Sequence, residues 1–126
     1  MKQVIETKMA PAAIGPYSQA IKTSGELLFI SGQIPVDYRT GEFAGEDIKK
    51  QTKQVILNLQ AILAESDATL SHVVKTTVFL QDINDFAEMN EVYNEFFPTP
   101  YPARSSIAVA ALPKGAKVEI EAIAAL

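Results

Sequence analysis

Two charged residues stand out in the apolar C-terminal segment "YPARSSIAVAALPKGAKVEIEAIAAL", and both carry side chains able to take part in catalysis. Arg104 follows Pro102, whose ring restricts the backbone at the start of a predicted strand. A guanidinium presents paired donors that match a carboxylate, and a partly desolvated pair contributes roughly 1.5–3 kcal/mol, enough to orient a small acid. The alternative interpretation is an edge-strand arginine whose charge reaches solvent or pairs with a surface acid.

Glu119 lies in the segment "KVEIEAI", in which charged and apolar residues alternate, so that Glu121 shares its face of a predicted strand. This alternation is equally typical of a half-exposed strand with no catalytic role. Ser105 and Ser106 are not expected to act as nucleophiles, because the sequence offers no base to activate either hydroxyl.

The composition removes several classes of site. The chain has no cysteine and a single histidine, His72, which excludes disulfides and thiol catalysis and disfavours a zinc site or a serine–histidine pair. We therefore expect no metal and no cofactor, and we expect His72 to be structural or at the surface. The net charge of −4 and the absence of a basic run disfavour nucleic acid as a partner, because its phosphate backbone would be repelled.

The length of 126 residues, with 48% hydrophobic and 21% charged residues, predicts one globular domain over residues 1–126. No apolar run approaches the roughly eighteen residues that cross a bilayer, and the N-terminal segment lacks the long apolar stretch of a signal peptide. We therefore expect a cytoplasmic protein without membrane association.

The hydrophobic pattern predicts the element order β-β-α-β-α-β-β. The predicted elements are strands near Leu27–Ser31 and Gln33–Val36, a turn at Asp37–Gly41, a helix over Glu46–Glu65, a buried strand "HVVKTTVFL", a second helix capped by Asp82 or Asn84 that ends before Pro98, and strands Ser105–Ala111 and Lys117–Ala124 joined by a turn at Pro113–Gly115. The acids Glu46 and Asp47 are expected in the first turn of the first helix, where the helix macrodipole favours them.

Two helices that each carry one apolar stripe, set against about five strands, predict an α+β sandwich with both helices on one face of a sheet. The other face then needs a cover. Ser106, Ala108 and Ala110 share one face of their strand, and Val118, Ile120 and Ala122 share one face of theirs. A partner subunit in a closed cyclic assembly is the natural cover.

Several segments, in order and over nearly the whole chain, carry a family resemblance: "APAAIGPYSQAI", "SGQIP", "VVKTTVFL", "NDFAEMNEVYNEFF", "PARSS" and "ALPKGAKVEIEAIA". They resemble the reactive intermediate deaminase A family, also called the YjgF/YER057c/UK114 family. The resemblance implies a chorismate-mutase-like sandwich with a mixed sheet, and a homotrimer with a central β-barrel and three ligand sites between subunits. It also implies hydrolysis of reactive 2-imino acids and their enamine tautomers, released by pyridoxal-phosphate enzymes, to 2-keto acids and ammonia.

The resemblance also implies roles for individual residues. Arg104 matches the arginine that grips the substrate carboxylate, and Glu119 matches a carboxylate that positions or activates water. The implied substrate-binding set is Tyr17, Ser31, Gly32, Asn90 and Ser106. Within it, Gly32 matches a backbone contact to the ligand and Tyr17 an aromatic wall, whereas Ser106 stands where many members carry a cysteine.

This chemistry suits a sequence with few reactive groups, because water adds readily to an imine and no covalent nucleophile is required. The predicted strands separate Arg104 from Glu119 by roughly 15 Å within one chain. A shared small substrate would therefore need Glu119 of an adjacent chain. The alternative function is a ligand-responsive regulatory or binding protein that senses small 2-keto acids, and a ribonuclease or translation inhibitor is disfavoured by the acidic isoelectric point.

Overall fold

The structure, a computed structural model, describes residues 2–126. Its strands are β1 (Lys2–Ile5), β2 (Ala20–Thr23), β3 (Leu27–Gln33), β4 (Val36–Asp37), β5 (Glu42–Phe43), β6 (Val73–Leu80), β7 (Ala103–Ala108) and β8 (Val118–Ala125), and its α-helices are α1 (Ile48–Ala64) and α2 (Phe86–Phe96). The predicted α+β class, with two helices and a mixed sheet, is therefore confirmed.

The main sheet has the strand order β3-β8-β6-β7, in which β6 and β7 are parallel and the other neighbours are antiparallel. The parallel pair follows from the chain order, because α2 forms the crossover that parallel neighbours require. The last two strands of the chain are consecutive in sequence, yet they lie on opposite sides of β6. This arrangement places the start of β7 and the start of β8 far apart in the sheet.

Both helices pack on one face of the main sheet. Alternate residues of β6 and β8 point at them and are fully or almost fully buried, including Val78, Leu80, Val118, Ile120 and Ala122. They join the apolar stripes of the two helices in one hydrophobic core. The set at 118, 120 and 122 thus faces the helices, so it is not the surface that a partner subunit would cover.

The opposite face of the main sheet is not covered by any element of residues 2–126. It carries large apolar side chains, with Phe29 71% exposed and Ile107 48% exposed. The requirement for a cover therefore stands, but it rests on these residues.

The ends of the helices differ in detail from the prediction. Asp47 is the N-cap of α1, where its side chain accepts a hydrogen bond from the Lys50 backbone N–H at 2.7 Å, and Glu46 lies before the helix. Asp82 caps a short 3₁₀ turn, Ile83–Asp85, that leads directly into α2. Neither α-helix within residues 2–126 has the length and apolar character needed to cross a lipid bilayer.

The prediction omitted β1 and β2, which pair with each other in antiparallel register from Lys2↔Thr23 to Ile5↔Ala20. Their side chains are mostly exposed, so they lack the apolar alternation that marks a half-buried strand. The predicted piece over Gln33–Val36 was also wrong in its bounds. β3 continues through Gly32 to Gln33, and β4 forms a small hairpin with β5.

Candidate active site

Arg104 lies at the start of β7 on the face of the sheet that packs against α2. Its partner on β6 is Thr76, which is buried and bonded to the Tyr93 hydroxyl of α2 at 2.8 Å. The Arg104 Nη1 donates a hydrogen bond to Asn90 Oδ1, also on α2, at 2.7 Å. The helix and the strand together fix the orientation of the guanidinium.

Three aromatic rings surround the same guanidinium. The Arg104 Cζ lies 4.8 Å from the ring centroid of Tyr93, 5.4 Å from that of Tyr17 and 5.7 Å from that of Phe86. All three distances are within the range of cation–π attraction. We call this group, Tyr17, Phe86, Asn90, Tyr93 and Arg104, the arginine pocket.

The N-terminal segment that brings Tyr17 to the arginine pocket is held at the start of β7 by the residue after it. The Ser18 backbone N–H donates to the Pro102 carbonyl at 3.0 Å, and the Ser18 hydroxyl donates to the Tyr101 carbonyl at 2.5 Å. These two bonds fix the backbone on both sides of the pocket, which explains how residues so distant in sequence meet there.

The guanidinium of Arg104 has no carboxylate partner within 4.0 Å among residues 2–126, in contrast to Arg39, which pairs with Asp37 at 2.9 Å. Arg104 is half-buried, and burial lowers its pKa from the ordinary value, while Tyr93 and Tyr17 act in the opposite direction. Arginine nevertheless stays protonated at neutral pH. A half-buried cation without an anion is the expected receptor for an anionic ligand.

Ser106 lies two residues after Arg104 and therefore on the same face of β7. Its hydroxyl oxygen is buried and has no hydrogen-bond partner among residues 2–126. A buried hydroxyl without a partner is costly, so this oxygen has hydrogen-bond capacity that residues 2–126 leave unused.

Glu119 lies on the opposite face of the sheet. Its neighbours Val118 and Ile120 are buried against the helices, so alternation along β8 turns the Glu119 side chain toward the uncovered face. The carboxylate lies across Gly32 of β3, the residue that follows Ser31. We call Ser31, Gly32 and Glu119 the glutamate bulge, because β3 and β8 change register here, between Ile30 and Gln33.

The structure thus divides the seven predicted site residues into two groups that do not meet within one chain. Arg104 is opposite Thr76 on β6 and Glu119 is opposite Phe79, three positions further along. At about 3.3 Å per residue and about 4.8 Å per strand spacing, their Cα atoms lie roughly 14 Å apart, with the side chains on opposite faces. One small molecule cannot touch both residues of the same chain.

Phe86 and Tyr93 were not assigned to the site from the sequence, because aromatic residues on the apolar stripe of a helix are equally typical of the core. A signal was present: Asn90 is four residues after Phe86 and three before Tyr93, which places a polar amide on an otherwise apolar stripe. An amide at such a position needs a partner, and Arg104 supplies it.

No group of three or more histidine, cysteine or acidic side chains in residues 2–126 is placed to hold a metal ion.

Comparisons with known proteins agree over almost the whole chain. A family model described as endoribonuclease L-PSP matches residues 7–126. A RutC family protein of Pyrococcus abyssi is 57% identical over 98% of this chain and 96% of its own. Human 2-iminobutanoate/2-iminopropanoate deaminase is 45% identical over 98% of this chain and 90% of its own. The crystal structure of E. coli TdcF with bound serine covers 98% of both chains at 43% identity, with a TM-score of 0.76.

Proposed function

The chain belongs to the reactive intermediate deaminase A family, whose family model bears the description endoribonuclease L-PSP, and from this premise we propose that it is an imine deaminase. Its substrates would be small 2-imino acids such as 2-iminobutanoate and 2-iminopropanoate, with their enamine tautomers, and its products 2-keto acids and ammonia. The observation that carries the proposal is the half-buried guanidinium of Arg104, which has an aromatic surround, an amide partner and no carboxylate partner among residues 2–126.

We propose that Arg104 binds the substrate carboxylate through its two-pronged donor edge. Asn90 accepts a hydrogen bond from Arg104 Nη1 and so holds the guanidinium in place, while the ring of Tyr17 forms a wall of the pocket. The Ser106 hydroxyl, which has no hydrogen-bond partner among residues 2–126, lies on the same face of β7 as Arg104. It would form a hydrogen bond to the ligand beside the carboxylate. None of these contacts requires a cofactor or a metal.

Glu119 would act on water. The carboxylate takes a proton as the water oxygen attacks C2 of the protonated imine, so that a C–O bond forms and the C=N π electrons move to nitrogen. The resulting carbinolamine collapses when Glu119 returns the proton to nitrogen. The C–N bond then breaks, the O–H electron pair of the hydroxyl forms the C=O bond of the 2-keto acid, and the departing ammonia takes up the hydroxyl proton as ammonium. Orientation and one acid/base group are sufficient, because the imine carbon is already electrophilic.

Because Arg104 and Glu119 of one chain lie on opposite faces, we propose that each complete site takes them from adjacent subunits. A homotrimer with a central β-barrel meets this requirement, since cyclic symmetry repeats the same contact three times. The apolar side chains of Phe29 and Ile107 on the uncovered face favour such an assembly, because their burial between subunits would remove them from water. Ser31 and Gly32 would then line the cleft beside Glu119.

The proposal is tested by adding the purified protein to a threonine dehydratase reaction and following the lifetime of the released imine. We expect the protein to shorten that lifetime in proportion to its concentration, and an Arg104→Ala variant to have little effect. Imine decay that the wild-type protein does not change would contradict the deaminase function.

A second candidate is a binding or regulatory protein that responds to small 2-keto acids. One observation on a relative favours this candidate. The structure of E. coli TdcF holds bound serine, a stable amino acid that carries no imine to hydrolyse. If the protein has this function, a 2-keto acid should bind at Arg104 and the rate of imine decay should stay unchanged. The same dehydratase assay, combined with calorimetric binding of 2-ketobutanoate, separates the two. A ribonuclease role gains no support from a chain of net charge −4.

A further inference from the structure

The carboxylate of Glu119 has neither a hydrogen-bond donor nor an ion-pair partner among residues 2–126, unlike Asp37 and Glu91, which both form ion pairs. Its orientation is therefore not fixed by polar contacts. What does constrain it is the backbone that it crosses. A Cβ atom placed on Gly32 would lie 1.9 Å from Glu119 Oε2, 2.8 Å from Cδ and 3.1 Å from Cγ.

The close approach depends on the register change between β3 and β8. Ile30 is opposite Ala122 and Gln33 is opposite Ile120, so three steps on β3 match two steps on β8. The additional residue is a β-bulge, a feature that re-aims side chains next to functional sites. Here it lets both Ser31 and Gly32 approach the uncovered face, on the side from which Glu119 extends.

The glycine is not needed for its backbone conformation. Gly32 is absent from the positive-φ glycines, which are Gly25, Gly41, Gly45 and Gly115. An alanine would therefore fit the backbone without strain. Among residues 2–126, the three atoms nearest to a Cβ at this position all belong to the side chain of Glu119.

We propose that Gly32 is a positioning residue for Glu119: the missing side chain is what allows the carboxylate to lie across β3, where it would face water in the cleft. This inference rests on the proposed function, and it is separate from any contact between the Gly32 backbone and the ligand. A methyl group here would displace Oε2 by about 1.5 Å to reach ordinary contact, and misplacing a catalytic group by about 1 Å can cost on the order of 100-fold in rate.

The test is a double-mutant cycle on imine hydrolysis, using wild type, Gly32→Ala, Glu119→Ala and the double variant. We expect Gly32→Ala to lower kcat at least about tenfold and to change KM less than about threefold, because ligand binding depends on Arg104. In the Glu119→Ala background the same glycine change should alter kcat less than about twofold, since no carboxylate remains to be displaced. An equal loss in both backgrounds, or a rise in KM at constant kcat, would overturn the proposal.

A crystal structure of Gly32→Ala gives a readout that does not depend on activity. We expect the strands to superimpose on wild type and the Glu119 carboxylate to lie away from β3, since the clashing atoms are at the end of a flexible side chain. An unmoved carboxylate would overturn the inference even if the rate falls. If the single variant proves unstable, removing the clash in the Gly32→Ala/Glu119→Ala double variant should restore its melting temperature, and failure to restore it would count against a steric role.

The two proposals fail in distinguishable ways. A wild-type protein without effect on imine lifetime would contradict the deaminase function, yet the displaced Glu119 in the variant structure would still establish the steric relation. Conversely, an active wild type whose glycine variant keeps full kcat would refute the positioning role alone.

Discussion

The arginine pocket and the glutamate bulge differ in how completely one chain defines them. Arg104 contacts two elements besides its own strand, with a hydrogen bond to Asn90 and three aromatic rings around the guanidinium. Glu119 has no polar partner in residues 2–126 and is held by its fit against Gly32. The first region is assembled before any ligand or partner arrives, whereas the second is an open surface with a single charged group.

This difference indicates a division of labour in the proposed site. A preassembled cation surrounded by rings loses little freedom when it binds a carboxylate, so it suits recognition. A carboxylate without hydrogen-bond donors keeps its acceptor capacity for water and for protons, so it suits acid/base chemistry. Loss of the glutamate should therefore reduce rate, and loss of the arginine should reduce binding.

The change with the largest expected effect is Glu119→Gln. The amide can still hydrogen-bond to water but cannot carry a proton, so kcat should fall by roughly 10²- to 10⁴-fold while the Kd of a 2-keto acid stays near the wild-type value. Steady-state hydrolysis and calorimetry measure the two quantities. Glu121→Gln, on the same face of β8, is the matched control and should leave both unchanged. Equal losses of rate and affinity would instead make Glu119 a binding residue.

A smaller loss is expected for Arg104→Lys. Lysine keeps the charge but loses the paired donor geometry and the planar stacking on the rings, so kcat/KM should fall by about 10- to 100-fold, mostly through KM. Arg39→Lys is the control, because that side chain is 71% exposed and pairs with Asp37 at the surface. A kcat/KM at the wild-type level for the Arg104→Lys variant would contradict the carboxylate clamp.

The smallest functional effect is expected for Tyr93→Phe, which tests a hydrogen bond that stabilises the arginine pocket and not a group that takes part in the reaction. The ring remains, but the buried Thr76 hydroxyl loses its partner, so the free energy of unfolding should fall by about 1–3 kcal/mol with kcat nearly unchanged. Urea unfolding measures this change. Tyr38→Phe is the control, because Tyr38 is 87% exposed. A Tyr93→Phe variant as stable as wild type would show that this hydrogen bond contributes nothing to stability.

Tyr93 also gives a dependence on pH with a definite sign. Burial raises the pKa of its hydroxyl from 10.0 to about 12 in the folded protein. The stabilisation is present below the unfolded value near pH 10 and is lost as the pH rises toward 12, by about 2–3 kcal/mol in total. The free energy of unfolding of wild type should therefore fall more than that of Tyr93→Phe between about pH 9 and about pH 12. Urea unfolding of both proteins at roughly unit steps of pH measures the difference. Parallel pH profiles for the two proteins would contradict this assignment.

Local patterns in the sequence were sufficient for the helices and for the central strand β6. The helices have an apolar periodicity of their own and β6 is rich in β-branched and aromatic residues, although Asp47 caps α1 instead of lying in its first turn as expected. The pairing of β1 with β2 and the insertion of β6 between β7 and β8 were not predictable in this way. They depend on contacts between distant segments, which no local period encodes.

The candidate site shows the same limit. The resemblance named residues of both regions, but it did not say which of them share a face, and the role of Phe86 and Tyr93 around Arg104 was missed. Gly32 shows why: its proposed role depends on the space that Glu119 occupies, and that space lies at a bulge between strands distant in sequence. Side-chain identity alone does not carry such information.

The central claim is that the two regions form one site only across subunits, and complementation tests it most directly. Arg104→Ala and Glu119→Ala, each expected to keep less than about one per cent of the wild-type activity alone, are unfolded together in equal amounts and reassembled. In a cyclic trimer each mixed assembly holds one site with both residues intact, so random mixing should restore about a quarter of the wild-type sites. No recovery, with mixed trimers demonstrated by native mass spectrometry, would contradict the shared site.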